Sequence, residues 1–286
     1  MLPGRALSGV AGMSGVILAV LDRPTAAPKV LAAARRAAQL MGATRINVLA
    51  IRTPPIDMVT ATEGFLSFPD DGAARAAEGA RVGALNEAFH AWASRPDSGS
   101  TAAEWVELEG WADQLVDEWG ERSDLIVLQR PAAKGPEPER RAVQAALFET
   151  GRPVLVVPEE ASLNGFGQRV AVAWRNDART TQAVLGALRW LGGASEMHVM
   201  AGAKRWETPP ALPPIFSEHN VAATLHVLPM GGQRAFGEAL LTRVHELQAD
   251  LLVLGAFAHP MLFGPILGGV TKHMLAHADL PVLMRY

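Results

Sequence analysis

The residues best suited to chemistry in this chain are small ones. They lie in the stretch GAFAHPMLFGPILGGVTKHML, residues 255–275. Two residues separate Gly255 from Ala258, and nine separate Ala258 from Gly268. Gly269 follows at once, and Thr271 stands two positions further on. Glycines between a strand and a helix are the usual material of a phosphate cradle. Their backbone N–H groups can approach an anion closely, and the helix dipole favours its charge. Pro260 and Pro265 remove two N–H groups from the same loop. A tight turn into a helix asks for the same small residues, so backbone packing stands beside phosphate contact as a reading of Gly268 and Gly269.

Other candidate groups are more scattered. Asp22 closes the apolar run VILAVL and could accept from a ligand; it would serve equally as a turn residue before Pro24. His273 and His277 are four apart on a predicted helix, with His259 in the loop before it. No Glu adjoins the pair as in a hydrolytic zinc helix, so no metal site is expected, and His277 reads as a helix-end residue. Arg140 and Arg141 sit in PEPERR and are expected to pair with its glutamates. No Ser/His/Asp set or carboxylate pair stands at a catalytic spacing, so no catalytic residue is expected.

The bulk properties exclude several classes. The 286 residues carry a formal net charge of -3. Residues 1–168 hold 16 Lys/Arg against 21 Asp/Glu, and residues 169–286 hold 10 against 8. Neither half has the basic excess that a nucleic-acid partner demands. There is no cysteine, which removes disulfides, thiolate metal sites and thiol nucleophiles. No apolar run approaches the roughly 20 residues of a membrane span, so no membrane partner is expected. The N-terminus has some features of a signal peptide, but glycines interrupt its apolar stretch, and GVILAVLD reads better as a first strand. Residues 1–15 are expected to form a loose tail, with Met13 as an alternative translation start.

The elements that must position these residues come in two copies. SDLIVLQ at 123–129 returns as ADLLVLG at 249–255, and RPVLVVP at 152–158 returns as LPVLMRY at 280–286. Copies of over 100 residues indicate a duplicated domain. Short apolar runs alternate with helical patterns, the signature of a parallel sheet covered by helices. Strands are predicted near 16–21, 45–51, 102–107, 124–129 and 153–157, and again near 169–174, 195–200, 222–228, 250–255 and 281–285. Helices are predicted near 25–41, 73–94, 110–121 and 138–150, then near 178–191, 232–248 and 268–277. A brief one near 215–219 follows a run of prolines. Pro24 suits a first-turn position, Asp177 an N-cap, and Gly42 and Gly192 helix ends. The domains are then 16–158 and 169–286, joined by a polar, glycine-bearing linker, 159–168.

This pattern resembles the universal stress protein family, in tandem form, over essentially the whole chain after residue 15. Nucleotide-binding members have a first strand ending V-A-V-D-G-S and a fourth strand DLLVMG followed by G-x2-G-x9-G-[ST]. The resemblance implies two similar open parallel-sheet domains, Rossmann-like and five-stranded, arranged as a pseudo-dimer. It also implies a nucleotide pocket in some members. In the second half Gly255 and Gly268 match family glycines, Ala258 replaces the second, and Gly269 replaces the hydroxyl residue, with Thr271 close behind. If position 258 needs a positive φ, its alanine costs roughly 1 kcal/mol. Arg175 stands where the family has its base-side aspartate and offers no acceptor. The first half keeps that aspartate as Asp22 but has Gln129 and Ala132 for the first two glycines and Arg140 and Arg141 at the glycine pair.

The expected function is that of a non-catalytic, cytoplasmic stress-response module acting through protein partners. It is expected as a homo-oligomer or an intramolecular pseudo-dimer joined through PVLVV and PVLM. A weak site for ATP, another adenine nucleotide or an anion would use Gly255, Ala258, Gly268, Gly269, Thr271 and Arg175, with Asp22 vestigial. The alternative is an ATP-binding, slowly hydrolysing regulatory protein. An adenylyl-transferring or pyrophosphatase-type enzyme would need a His or Lys motif near the first strand, which neither VLDRPTAAPK nor AWRNDART supplies.

Overall fold

A computed structural model describes residues 15–54, 60–62, 65–67, 71–95, 101–132, 135–256, 258–259 and 266–286. The expected tail lies outside these residues apart from Gly15. The first half runs β1 (Gly15–Leu21), α1 (Ala27–Met41), β2 (Ala43–Arg52), β3 (Thr60–Thr62), β4 (Phe65–Ser67), α2 (Asp71–Ala93), β5 (Ala102–Glu109), α3 (Ala112–Gly120), β6 (Leu125–Gln129), α4 (Glu137–Phe148) and β7 (Val154–Val157). The second runs β8 (Arg169–Trp174), α5 (Ala178–Leu191), β9 (Glu196–Ala203), α6 (Pro214–Glu218), β10 (Thr224–Pro229), α7 (Gln233–Glu246), β11 (Leu251–Gly255), β12 (Ala258–His259), β13 (Ile266–Leu267), α8 (Gly269–His277) and β14 (Val282–Arg285).

Ten strands form one sheet in the order β10-β9-β8-β11-β14-β7-β6-β1-β2-β5. Each half is parallel and doubly wound. The halves meet where β14 runs antiparallel to β7, with Leu283 opposite Leu155. The last strands named in the sequence therefore make the seam, and the chain folds as a pseudo-dimer. Side chains alternate through the sheet: Ile17, Ala19 and Leu21 enter the layer under α1, α2 and α5, and Leu18 and Val20 the layer under α3, α4, α7 and α8. Both apolar layers run across the seam, so the two halves share their core.

Local chemistry explains most element ends. Asp177 caps α5 by accepting from the Thr180 N–H at 2.9 Å. Gly42 closes α1 at φ +66°, where a Cβ would be strained. Pro24 lies in the turn before α1, and Pro28 fills the first-turn position. The repeated aspartates are structural. Asp124 accepts from the Val16 N–H at 2.9 Å, and Asp250 accepts from Gly167, Gln168 and Arg169 at 2.8, 3.1 and 2.8 Å. Each ties the start of its half's first strand to the fourth. The linker is held at several points. Phe166 is fully buried in the shared core, and Arg36 donates to its carbonyl at 3.3 Å.

Candidate functional site

In a doubly wound sheet, ligands bind beyond the strand carboxyl ends where the strand order reverses. Those points lie between β1 and β6 and between β8 and β11, because each half has the order 3-2-1-4-5. The pairing Val20↔Leu128 brings Asp22 beside Gln129, and Leu254↔Ala173 brings Gly255 beside Arg175.

The first of these points is filled by the protein itself. Gln129, 3% exposed, ends β6 at this point. Its amide donates to Asp22 Oδ2 at 3.3 Å and to Glu139 Oε1 at 3.4 Å, and its carbonyl accepts from the Arg23 N–H at 3.2 Å. Arg81 reaches over from α2. It forms a two-pronged pair with Glu78 (Nε to Oε2 2.9 Å, Nη2 to Oε1 2.7 Å) and donates to the carbonyls of Asp22 and Ile51, both at 2.5 Å. Its Nη1 also lies 3.4 Å from Asp22 Oδ1. Glu139, in the first turn of α4, turns back so that Oε1 accepts from the Ala132 N–H at 3.0 Å. A carboxylate of the chain thus takes the loop N–H that a phosphate cradle would offer.

The electrostatics follow from burial. Loss of water pushes the Asp22 carboxyl above its ordinary value, with Glu78 adding to the rise against Arg81, Arg23 and Gln129. Burial likewise raises Glu139, against the Ala132 N–H and Arg23. For Glu78, burial is outweighed by Arg81 and the Thr53 N–H, which hold its carboxyl below the usual range. Three carboxyl groups beside two guanidinium groups oppose an incoming polyphosphate and partner one another in part, with Glu139 Oε2 and Arg23 Nε left without a hydrogen-bond partner.

The second point is lined differently. Arg175 is exposed and pairs with Asp177 across the turn after β8. Burial works against the Asp177 charge, but the Thr180 N–H and Arg175 prevail and hold its carboxyl below the usual range. Gly255 is a buried strand end, and Gly268 is the extended N-cap of α8, with no side-chain cap of its own. Ala258 pairs with Leu267 in the short hairpin β12–β13, so its backbone is that of a strand and does not call for a positive φ. Thr271 is fully buried in the first turn of α8, so its hydroxyl does not face solvent. Pro260 and Pro265 lie outside the described residues.

No group of three or more His, Asp and Glu suited to a metal occurs among the described residues. The rings of His273 and His277 stand 4.5 Å apart, and the side chain of His259 lies outside the described set. Arg140 and Arg141 both approach Glu137 on α4. Among the described residues, no helix is long and apolar enough to cross a membrane. Sequence reasoning missed Glu78, Arg81 and Glu139. The only local signals are the i, i+3 spacing of the first two and the loss of glycine at position 129.

Fold and site together define a duplicated, doubly wound α/β protein with one switch point closed by its own side chains. No family model and no curated protein matches the sequence. Among solved structures, the chain is similar to a universal stress protein from Archaeoglobus fulgidus DSM 4304, with 14% identity, 96% of this chain and 98% of that one covered, and a TM-score of 0.63. It is also similar to a functionally unknown protein from Pseudomonas aeruginosa PAO1, with 15% identity, 96% and 93% coverage, and a TM-score of 0.61. At these identities the likeness is one of fold, and it extends over both halves.

Proposed function

We propose that this chain is a tandem universal stress protein that works as a non-catalytic, cytoplasmic regulatory module through protein partners. Nucleotide or anion binding is confined to the second half and is weak. The observation that carries this reading is the closed first switch point, where Gln129, Glu139 and Arg81 occupy the surroundings of Asp22. Small residues at the start of α8 support the second half as the remaining anion site, and Arg175 in place of an acceptor argues for low affinity toward adenine.

The test is calorimetric titration and thermal shift with ATP, ADP and AMP, with and without magnesium, on the wild type and on Gly268→Val. Weak binding lost in Gly268→Val is the expected result. Micromolar binding that survives Gly268→Val and is lost in Asp22→Ala would place the site in the first half and overturn the proposal. Turnover of ATP would overturn its non-catalytic part.

A further inference from the structure

A second feature adjoins the first switch point and shares Arg23 and Ala132 with it. A cavity of about 440 Å³ opens on the helical face above the β7–β14 seam. Both halves build it: α4 supplies Val143 and Leu147, α8 supplies Lys272 and Leu275, and the loop after β6 supplies Arg130. Its volume falls within the range of about 300–1,000 Å³ in which small molecules are held.

The lining has two chemical zones. Val143, Leu147 and Leu275 are buried apolar residues of the two helices. Around them stand four cationic groups, Arg23, Arg130, Arg140 and Lys272, against two carboxylates, Glu159 and Glu160. The guanidinium groups are fixed in place. Arg130 pairs with Glu160 at 2.5 Å and donates to the Ala278 carbonyl at 2.5 Å, which ties the first half to the end of α8. Arg140 donates to the Gly135 carbonyl at 2.6 Å and pairs with Glu137, and Arg23 lies 3.7 Å from Glu139, so the surplus positive charge of the cavity rests on Lys272. Two donors are left over. The Lys272 ammonium meets no carboxylate among the described residues, and the buried Arg23 Nε has no hydrogen-bond partner. Apolar walls with a positive excess and unused donors fit a ligand that brings an apolar body and one negative charge.

We infer that the seam cavity binds an amphipathic organic carboxylate, with its apolar body between α4 and α8 and its head against the cationic side that includes Lys272. This site is independent of nucleotide binding in the second half.

The probe is octanoate, titrated by calorimetry and by ligand-observed NMR into the full chain, with octanol and acetate as controls. The variants are Lys272→Glu, which reverses the charge, and Ala276→Trp, which fills the cavity from an exposed position on α8. Circular dichroism checks that both remain folded. The expected result is saturable octanoate binding, weakened at least about tenfold in Lys272→Glu and lost in Ala276→Trp, with octanol weaker and acetate inert. Equal binding of octanol and octanoate, no saturable binding, or binding unaffected by either substitution in the folded variants would overturn the inference. Gly268→Val leaves octanoate binding unchanged if the two sites are separate as described, so failure here is distinguishable from failure of the nucleotide reading.

Discussion

Replacing Arg81 with methionine tests whether the first switch point is locked from within. The guanidinium engages Glu78 through two bonds of 2.7 and 2.9 Å and holds two backbone carbonyls at 2.5 Å. The Glu78 side chain is only 7% exposed. Methionine fills much of the same volume, so the chief loss is electrostatic and leaves the buried Glu78 carboxylate with the Thr53 N–H but without its guanidinium. Breaking a buried pair from one side costs about 3–5 kcal/mol, and that is the expected loss at pH 7. Glu78→Gln removes the charge itself and should cost less, about 1–2 kcal/mol. The double variant should then cost less than the sum of the two, leaving a coupling of about 2–3 kcal/mol.

The pH dependence supplies a second handle. The Glu78 carboxyl is held below its ordinary value, so its contribution is present above the unfolded value of about 4.3 and is lost as pH falls through the folded one. In Arg81→Met, burial is opposed only by the Thr53 N–H and that carboxyl rises relative to the wild type, so the variant recovers as the group takes up its proton. The gap between wild type and variant should therefore narrow between pH 7 and about 4.5. Urea unfolding followed by tryptophan fluorescence and far-ultraviolet dichroism measures both quantities, and coincident curves test whether the shared core unfolds as one unit. A cost below about 1 kcal/mol at pH 7, a gap that does not change with pH, or zero coupling would refute the lock.

Two further outcomes follow from the geometry of other sites. Asp250→Ala removes the acceptor of three backbone N–H groups and should cost about 2–4 kcal/mol, whereas Asp124→Ala removes one exposed bond and should cost about 1 kcal/mol or less; urea midpoints of the two variants check the ranking. On the sheet edge, Arg243 donates to His226 Nδ1 at 3.0 Å, so His226 carries its proton on Nε2 and offers it to His198 Nδ1 at 3.2 Å, and His198 turns its Nε2 to Glu196 at 3.1 Å. Burial, Arg243 and His198 hold His226 below its ordinary value, so stability from this relay falls as pH drops through the histidine range. Amide exchange in β10, corrected for intrinsic rate, should quicken between about pH 7.5 and 5.5 in the wild type and lose that dependence in His226→Gln.

The parts legible in the sequence were those whose cause is local. Alternating apolar runs and the repeated DL and PVL segments located all ten strands of the main sheet, because a buried strand needs a short apolar run wherever it stands. The seam through the last strands was legible for the same reason, since the apolar runs PVLVV and PVLM need cover on an open edge; that the two strands run antiparallel was not. The hairpins β3–β4 and β12–β13 were not, since strands of two or three residues carry no period. Phe166 in NGFGQ read as part of an exposed linker, because one aromatic among small and polar residues gives no pattern, yet it is fully buried. The lock escaped for a different reason. Asp22 lies 59 residues from Arg81 and 107 from Gln129, and only the fold brings them together.

The antiparallel seam also fixes how the two halves can influence each other. It turns the strand carboxyl ends of one half toward the amino ends of the other, so the two switch points lie at opposite ends of the sheet and do not share a ligand. Helix α8 spans that separation. Its N-cap Gly268 and first residue Gly269 lie at the second switch point; its middle residues, Lys272 and Leu275, line the seam cavity; and the Ala278 carbonyl beyond its end is held by Arg130 of the first half. At 1.5 Å per residue its nine residues are about 14 Å long, short enough to move as a rigid rod. Octanoate titration of Gly268→Val tests whether a change at the start of the helix reaches the cavity wall, and with separate sites it does not. The first switch point is tied to this helix through its own backbone: Arg23 donates to the Arg130 carbonyl at 2.9 Å, and Arg130 in turn holds the Ala278 carbonyl beyond the end of α8.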